Sequence, residues 1–580
     1  MIKEKYKWCI SIILMALAVL SVVAVILSDR FNTEKKTEVA EKVLSKVLDK
    51  DNITQVSIDI DESDWKWLLE NATDEEYRNC NITINGTKYY NVGIRPKGNT
   101  SLTNVASDNT TDRYSFKIKF DENIDGQSYN GIKSIVLNNI IQDNTYMKEY
   151  ITYDLFSHMG VATPEMSYSN VIINNKSWGL YLAIEVVDER YLQNNFGTID
   201  GNLYKPETMG VNNKDGHNKG TGANPPDIKD FMKGERSTEG ADFIYIDDEV
   251  TSYSIVRDSA IFKRTTDDDF KKVINMYQNL NDGTNLEEVL DVEEVLKYFA
   301  VNTFVINLDS YSGAMYHNYY LYENNGKCQI LPWDLNLSFA GYEVNKGGKG
   351  ENFSQVSTIN FPIDNPVSGN LENMPLIGKL LEIDKYKELY HSYLQQIADE
   401  YFNSGYYENL VNKLDNMISE YVKQDPTAFC TYDKYKTAVN EMVNFGKDRT
   451  VSVIAQLNGE QPSTTYGNIQ ATVNIFALGD MGGGMDMKDK ANRGSDTNLD
   501  MPQNNFKDDV LSDNPEYLIK QSPNNKEKDN VDNINVEVKP ANEMYQSDNK
   551  FRYILIAGMA IFGLVSVFAV GKFKRKKYLK

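Results

Sequence analysis

VNTFVINLDSYSGAMYHNYYLYENNGKCQILPWDLNLSF, residues 301–339, decides how this chain is read. An apolar run ends at Asp309 in a polar turn. Residues 317–322 and 327–331 then read as two strands about the turn Glu323-Asn324-Asn325-Gly326, and the second strand runs into Trp333-Asp334-Leu335-Asn336. Asn-Gly supplies the positive φ angles that a hairpin turn needs, so the strands are expected to pair antiparallel. Counting back from a four-residue turn sets Asp334 opposite about Met315. The open end of the hairpin then gathers Asp334, Asn318 and the Asp309 loop. Two carboxylates and an amide suit a magnesium-bound phosphate. A carboxylate in apolar company, as at Asp309 and Asp334, is costly unless it is used; the plainer alternative for each is capping of a helix or turn.

Working outward, helical spacing over 270–280 and 286–305 delivers the chain to this stretch, and spacing over 376–457 is helical with little interruption. The first half reads differently. Strands are expected at 55–60, 114–120 and 132–137, and hairpins from 80–84 with 89–95 and from 168–174 with 178–186. Residues 62–70 make a capped short helix, and 146–159 make one prominent amphipathic helix stopped by Gly160. Residues 205–240, rich in Gly, Asn, Lys and Asp, read as an insertion or long loop. The expected fold class is α+β, with a β-rich first lobe, a helical second lobe and a cleft between them.

The two ends carry a different message. Net charge is −22; residues 1–8 contribute +2 and 551–580 contribute +7, leaving −31 on the stretch between them. Such an acidic middle argues against a nucleic-acid partner, which asks for a basic stripe. Residues 9–28 are uncharged and long enough to span a bilayer, and 553–570 form a second span before a Lys/Arg-rich end. The positive-inside rule sets both basic ends, 1–8 and 571–580, in the cytoplasm. The expectation is a two-pass protein of the cell membrane whose N-terminal span is an uncleaved signal anchor. A stalk (29–50), a main domain (51–460) and a disordered tether (478–550) then lie outside the cytoplasm. Cys80, Cys328 and Cys430 are far apart with no CxxC, which fits unpaired thiols better than a disulfide framework or a zinc site.

Transfer of phosphate from ATP needs a loop over the phosphates, a Lys on a strand, a Glu to hold it, and acidic and amide residues for base and metal. Pro96-Lys97-Gly98-Asn99-Thr100-Ser101 is a small polar turn off a strand, able to cradle phosphate or to be an ordinary surface turn. Lys117 and Lys119 share one face of a strand whose other face, Phe116, Ile118 and Phe120, is apolar. Glu149 lies on the prominent helix, where it can reach such a Lys, and Glu185 ends a strand at the expected lobe junction, where a nucleotide base can be held. With four His in all and no HExxH or Ser-His-Asp spacing, hydrolase and zinc-protease readings find no support, and His317 reads as structural.

The segments GIRPKGNTS, YSFKIKF, NNIIQDNTYMKEYITYDLFSHMGV, VIINNKSWGLYLAIEVVDERYL, GNLYK, LDSYSGAMYHNYYLY and ILPWDLNLSF resemble the CotH (spore coat protein H-like) family of atypical protein kinases. The likeness spans roughly residues 50–460 and leaves out both apolar spans and the tether. It implies a protein-kinase-like core without the Gly-rich loop and HRD signatures of ordinary kinases. It also implies ATP- and magnesium-dependent phosphorylation of Ser/Thr on surface or spore-coat proteins. By position, Lys117 looks like the phosphate-contacting Lys and Glu149 like its partner. Asp309 looks like the catalytic-loop Asp, and Asp334 like the metal-binding Asp, with Asn318 and Asn336 as further metal contacts. The apolar spans depart from the family's pattern and put the domain where ATP is scarce. The rival expectation is a surface or coat scaffold that keeps the fold and transfers nothing; a third is transfer of AMP instead of phosphate.

Overall fold

The computed structural model of the chain describes residues 47–208, 238–313, 315–342 and 355–481. Both expected membrane spans, most of the stalk and all of the chain past 481 lie outside these residues. Among the described residues no helix is long and apolar enough to cross a membrane.

The first half is a closed barrel. Its strands are β1 (Thr54–Ile60), β2 (Arg78–Ile84), β3 (Thr87–Lys97), β4 (Ser115–Lys119), β5 (Ser134–Asn138), β6 (Met166–Ile173) and β7 (Lys176–Glu185). They run β1-β2-β3-β4-β5-β7-β6 around the barrel. Neighbours are antiparallel except β1 and β6, which close the ring in parallel with Thr54 opposite Ser169. Period-two alternation builds the interior: Val56, Ile58, Ile82, Val92, Phe116 and Ile118 point into one apolar core. Helix α1 (Glu62–Glu70) starts where the Asp61 side chain accepts the Ser63 N–H at 2.8 Å, and α2 (Thr100–Ala106) follows β3.

Helix α3 (Lys148–His158) was expected to be amphipathic, but Lys148 through Phe156 are all buried. It lies between the barrel and the helical half. Tyr150 stacks on Tyr168 of β6 at 5.3 Å, and Ile151 O accepts a hydrogen bond from the Tyr401 hydroxyl. Its buried polar side chains are mostly hydrogen-bonded inside the protein: Asp154 to Tyr401 and Tyr406, Thr152 to Ser338, with the Tyr153 hydroxyl an exception.

The second half holds α4 (Glu189–Phe196), β8 (Asn202–Tyr204), α5 (Asp267–Asp282), α6 (Val292–Phe304), β9 (Tyr319–Asn324) and β10 (Lys327–Pro332). Then come α7 (Pro375–Leu381), α8 (Asp384–Gln396), α9 (Tyr406–Gln424) and α10 (Tyr432–Leu457), with a π-helical segment, Ile397–Asn403, prolonging α8. The helix expected over 286–305 is interrupted: Leu290 is extended, and Asp291 caps α6 by accepting the Glu294 N–H at 3.3 Å. The hairpin of the opening stretch forms as an edge strand and the central strand of a sheet ordered β10-β9-β8. Its turn is two residues, Asn325 (φ 54) and Gly326 (φ 85), because Asn-Gly satisfies both left-handed positions by itself. Asn324 therefore faces Lys327, and Pro332 faces Tyr319. Carried on, this register sets Asp334 opposite His317, not Met315. The shift is two residues, so every side chain keeps its expected face. Cys80, Cys328 and Cys430 are free thiols, in line with the sequence reading.

One buried ion pair ties the halves together. Arg113, two residues before β4, meets Asp425, just past α9, at 2.7 Å with both side chains fully buried. Asp425 also accepts the Leu180 N–H of β7 at 2.9 Å, and Arg113 donates to Asn139 O and Thr427 Oγ1. Gly179 makes room for the pair: a Cβ there would lie 2.3 Å from Asp425 Oδ1, and its φ is +127.

Candidate functional site

The ends of β3, β4 and β5, the start of α3 and the open end of the β9–β10 hairpin surround a cleft of ≈ 2730 Å³. Lys97, Gly98, Asn99 and Ser101 line it from the barrel side with Lys117. Glu149 reaches it from α3, and Asp309, Asn318, Asp334 and Asn336 line it from the other side. Glu185 is absent from the lining. Its carboxylate is ion-paired with Arg190 and accepts the Glu165 N–H at 3.1 Å; burial pushes it up to about 7 against the pull of Arg190.

Each functional side chain is held by its surroundings. Asp309 follows the turn that ends α6, and is 8% exposed. His317 Nε2 lies 2.9 Å from Asp309 Oδ1, and Asn318 Nδ2 donates to Asp309 O at 2.9 Å and to Oδ2 at 3.0 Å. Burial pulls the His317 imidazole down, but the Asp309 carboxylate outweighs it, so His317 holds its proton more tightly than an ordinary histidine. Because the Asn318 amide nitrogen is spent on Asp309, its carbonyl oxygen is the atom left to face the cleft. Asn336 is arranged alike, its Nδ2 donating to Ile141 O at 3.2 Å.

Asp334 sits two residues past β10 with φ 57, a left-handed conformation that Asp tolerates better than most residues. No hydrogen bond or ion pair reaches its carboxylate among the described residues. Its charge is nonetheless felt: burial first, and Asp334 second, push the Glu149 carboxyl up to about 7. Glu149 is 5% exposed and accepts from Asn138 Nδ2 at 3.1 and 2.9 Å, and Asn138 Oδ1 in turn accepts from Lys97 Nζ at 3.0 Å. A hydrogen-bonded path from Glu149 to the barrel side thus runs through Asn138 to Lys97. Lys119, the other Lys on that face of β4, pairs with Glu122 at 2.6 Å.

The loop after Asp334 locks α3 in place. Ser338 Oγ lies 2.7 Å from Thr152 Oγ1 and donates to Leu335 O at 2.8 Å, and the Phe339 N–H donates to Val305 O at 2.7 Å. Asp334, Glu149 and the end of α6 are therefore fixed relative to one another.

Three features of the cleft were not read from the sequence. Asn138 is one; a polar residue closing the apolar run of β5 was its only signal. Lys205, ion-paired to Glu207 on the cleft wall, is another. The third is the role of His317 as a partner of Asp309.

The CotH kinase protein family matches residues 94–453. Inner spore coat protein H of Bacillus subtilis (strain 168) is 22% identical over 343 residues, covering 56% of this chain and 78% of that protein. Among solved structures, the Shewanella oneidensis MR-1 HipA, HipB and operator DNA complex matches with a TM-score of 0.24 and 12% identity. That match covers 56% of this chain and 57% of the other, and its score is too low to bear on fold or function.

Proposed function

The chain belongs to the CotH kinase protein family, and from that premise we propose that it is an ATP-dependent kinase acting on Ser/Thr of surface or spore-coat proteins. The observation that carries this reading is the Asp334 carboxylate. No hydrogen bond or ion pair reaches it among the described residues, and after burial its charge is what pushes the buried Glu149 carboxyl up most. Such a place suits a divalent cation. Asp334 would hold magnesium together with the carbonyl oxygens of Asn318 and Asn336. No group of three or more His, Cys, Asp or Glu able to hold a metal occurs among the described residues; nucleotide phosphates would supply the remaining ligands. When bound, magnesium neutralises charge on the phosphates during transfer.

The chain's own residues supply the rest. Lys97 and Lys117 bring positive charge to the barrel side of the cleft, and Glu149, through Asn138, fixes where the Lys97 ammonium stands. Asp309 takes the proton of the acceptor hydroxyl. His317 and Asn318 set the direction of its carboxylate for that task. In this reading the two lobes are kinase-like, and the spans at 9–28 and 553–570 anchor the domain outside the membrane, near its protein substrates.

The purified chain, given labelled ATP and magnesium, is expected to label itself or an added acidic or basic protein, and Asp334→Ala and Asp309→Ala are expected to abolish that. No transfer by the wild type would refute the enzyme and leave the scaffold. Mass spectrometry of the product separates added phosphate from added AMP.

A further inference from the structure

The turn that ends α6 offers four successive carbonyls, Thr303 to Ile306, and two distant parts of the chain hold them. Thr303 O and Phe304 O accept from Arg449 of α10, from Nη2 at 3.0 Å and from Nε at 3.2 Å. Val305 O and Ile306 O accept from the N–H groups of Phe339 and Ala340, at 2.7 and 3.2 Å, in the loop that follows Asp334. Three residues past Ile306 the chain reaches Asp309. The turn therefore leads into one carboxylate of the cleft and grips the loop that carries the other.

The backbone does not adopt this turn at ease. Ile306 has φ 51, a left-handed conformation that a β-branched side chain resists, and Phe339 and Ala340 are left-handed too, at φ 55 and 58. Such conformations persist only where the surroundings over-determine them. Arg449 does so from the α10 side. Its guanidinium is fully buried, and its planar fork spends four donors on backbone carbonyls: besides those of Thr303 and Phe304, Nη1 donates to Ile359 O and to Phe361 O, both at 2.8 Å. A cation at the C-terminal end of a helix also meets the negative end of its dipole. Burial draws the guanidinium down to about 9, so it keeps its charge at neutral pH. Tyr390 of α8 braces the same turn, its hydroxyl 2.9 Å from Thr303 Oγ1 and from Ile363 O. Neither Arg449 nor Tyr390 lines the cleft.

We infer that Arg449 is a positioning residue of the site: by holding the end of α6 it sets Asp309 and the Asp334 loop relative to each other, without touching substrate. The inference rests on the kinase reading above. Arg449→Lys keeps the charge but gathers its donors on one atom, so it cannot serve the carbonyls of 303–304 and of 359–361 together. The turn then relaxes, and the two carboxylates part from their working separation. A misplacement of about 1 Å is enough to slow a reaction about 10²-fold.

The test uses the full chain as wild type, Arg449→Lys and Tyr390→Phe. Its first readout is hydrogen exchange in metal-free buffer, with no nucleotide. In Arg449→Lys the amides of 305–309 and 335–342 are expected to exchange at least about tenfold faster, while the barrel strands β1 to β7 exchange as in the wild type. The second readout is phosphate transfer from ATP as magnesium is raised. The maximal rate per folded molecule is expected to fall about 10²-fold, and the magnesium needed for half-maximal transfer to rise about tenfold. Tyr390→Phe, which loosens the turn with Arg449 in place, is expected to move both readouts the same way by less. A role in stability alone would speed exchange throughout the protein and lower the maximal rate with half-saturating magnesium unmoved; that result overturns the inference, as does wild-type exchange over 335–342. Should Arg449→Lys fail to fold, Tyr390→Phe decides by the same two readouts. No transfer by the wild type overturns the kinase reading, and hydrogen exchange then decides by itself whether Arg449 holds the two loops together.

Discussion

Replacing Glu149 by Gln should make this protein more stable at alkaline pH, though the residue is buried and hydrogen-bonded. Burial, and then the Asp334 charge, push the Glu149 carboxyl from an ordinary 4.5 to about 7. A raised folded-state pKa means that the folded protein holds the proton more tightly than the unfolded chain does. The stabilisation is complete below about 4.5 and is lost as pH rises to about 7, at a total cost of about 3 kcal/mol. Glutamine does not titrate. Its carbonyl still accepts from Asn138, and the weakened contacts cost about 1 kcal/mol at every pH. Glu149→Gln should therefore melt at or slightly below the wild type at pH 5 and several degrees above it at pH 8, when both are scanned in metal-free buffer. Asp334→Asn, by removing the second cause of the shift, should shrink that gap. A melting difference that stays flat from pH 5 to pH 8, or that favours the wild type more as pH rises, would refute the reasoning.

Three further outcomes are expected. Asp425→Asn leaves the fully buried Arg113 guanidinium without its counter-charge and should cost about 3–5 kcal/mol in denaturant unfolding. Gly179→Ala drives a Cβ into the same pair, so its cost and that of Asp425→Asn should add to much less than their sum in the double variant. Ser338→Ala removes the contacts to Thr152 and Leu335 O and frees the loop after Asp334, while Thr152 keeps its bond to Lys148 O; a loss of about 1 kcal/mol by thermal unfolding should come with reduced phosphate transfer, and Ser338→Thr should recover more of both than Ala does.

Local signals carried the sequence reading. Asn325-Gly326 located the hairpin, strict alternation in 114–120 located a strand with its lysines on one face, and the two Asp in apolar company were placed in one cleft. What escaped was long-range. Nothing in the alternation of β1 or β6 tells a closed barrel from an open sheet, because each strand reads the same with one neighbour or two. The full burial of α3 was hidden by its mixture of Tyr, Thr, Asp and Glu, which resembles a surface helix until the partners of each polar group are known. Asn138 was invisible for the same reason: its worth lies in Lys97 on one side and Glu149 on the other, forty-one and eleven residues away.

The parallel seam of the barrel bears on how the chain is made. β1 gains its β2 partner through nearby sequence, but its other neighbour, β6, arrives more than a hundred residues later. During synthesis, β1 to β5 can assemble first as an open sheet with two unpaired edges, and the ring shuts only when 166–185 emerge. Contacts so distant in sequence are slow to form, and an open edge in the meantime can take a strand from a neighbouring copy. Substitutions that weaken β6 should thus reveal themselves during biogenesis, as strand-exchanged dimers and slow refolding, before they measurably lower the stability of the finished barrel.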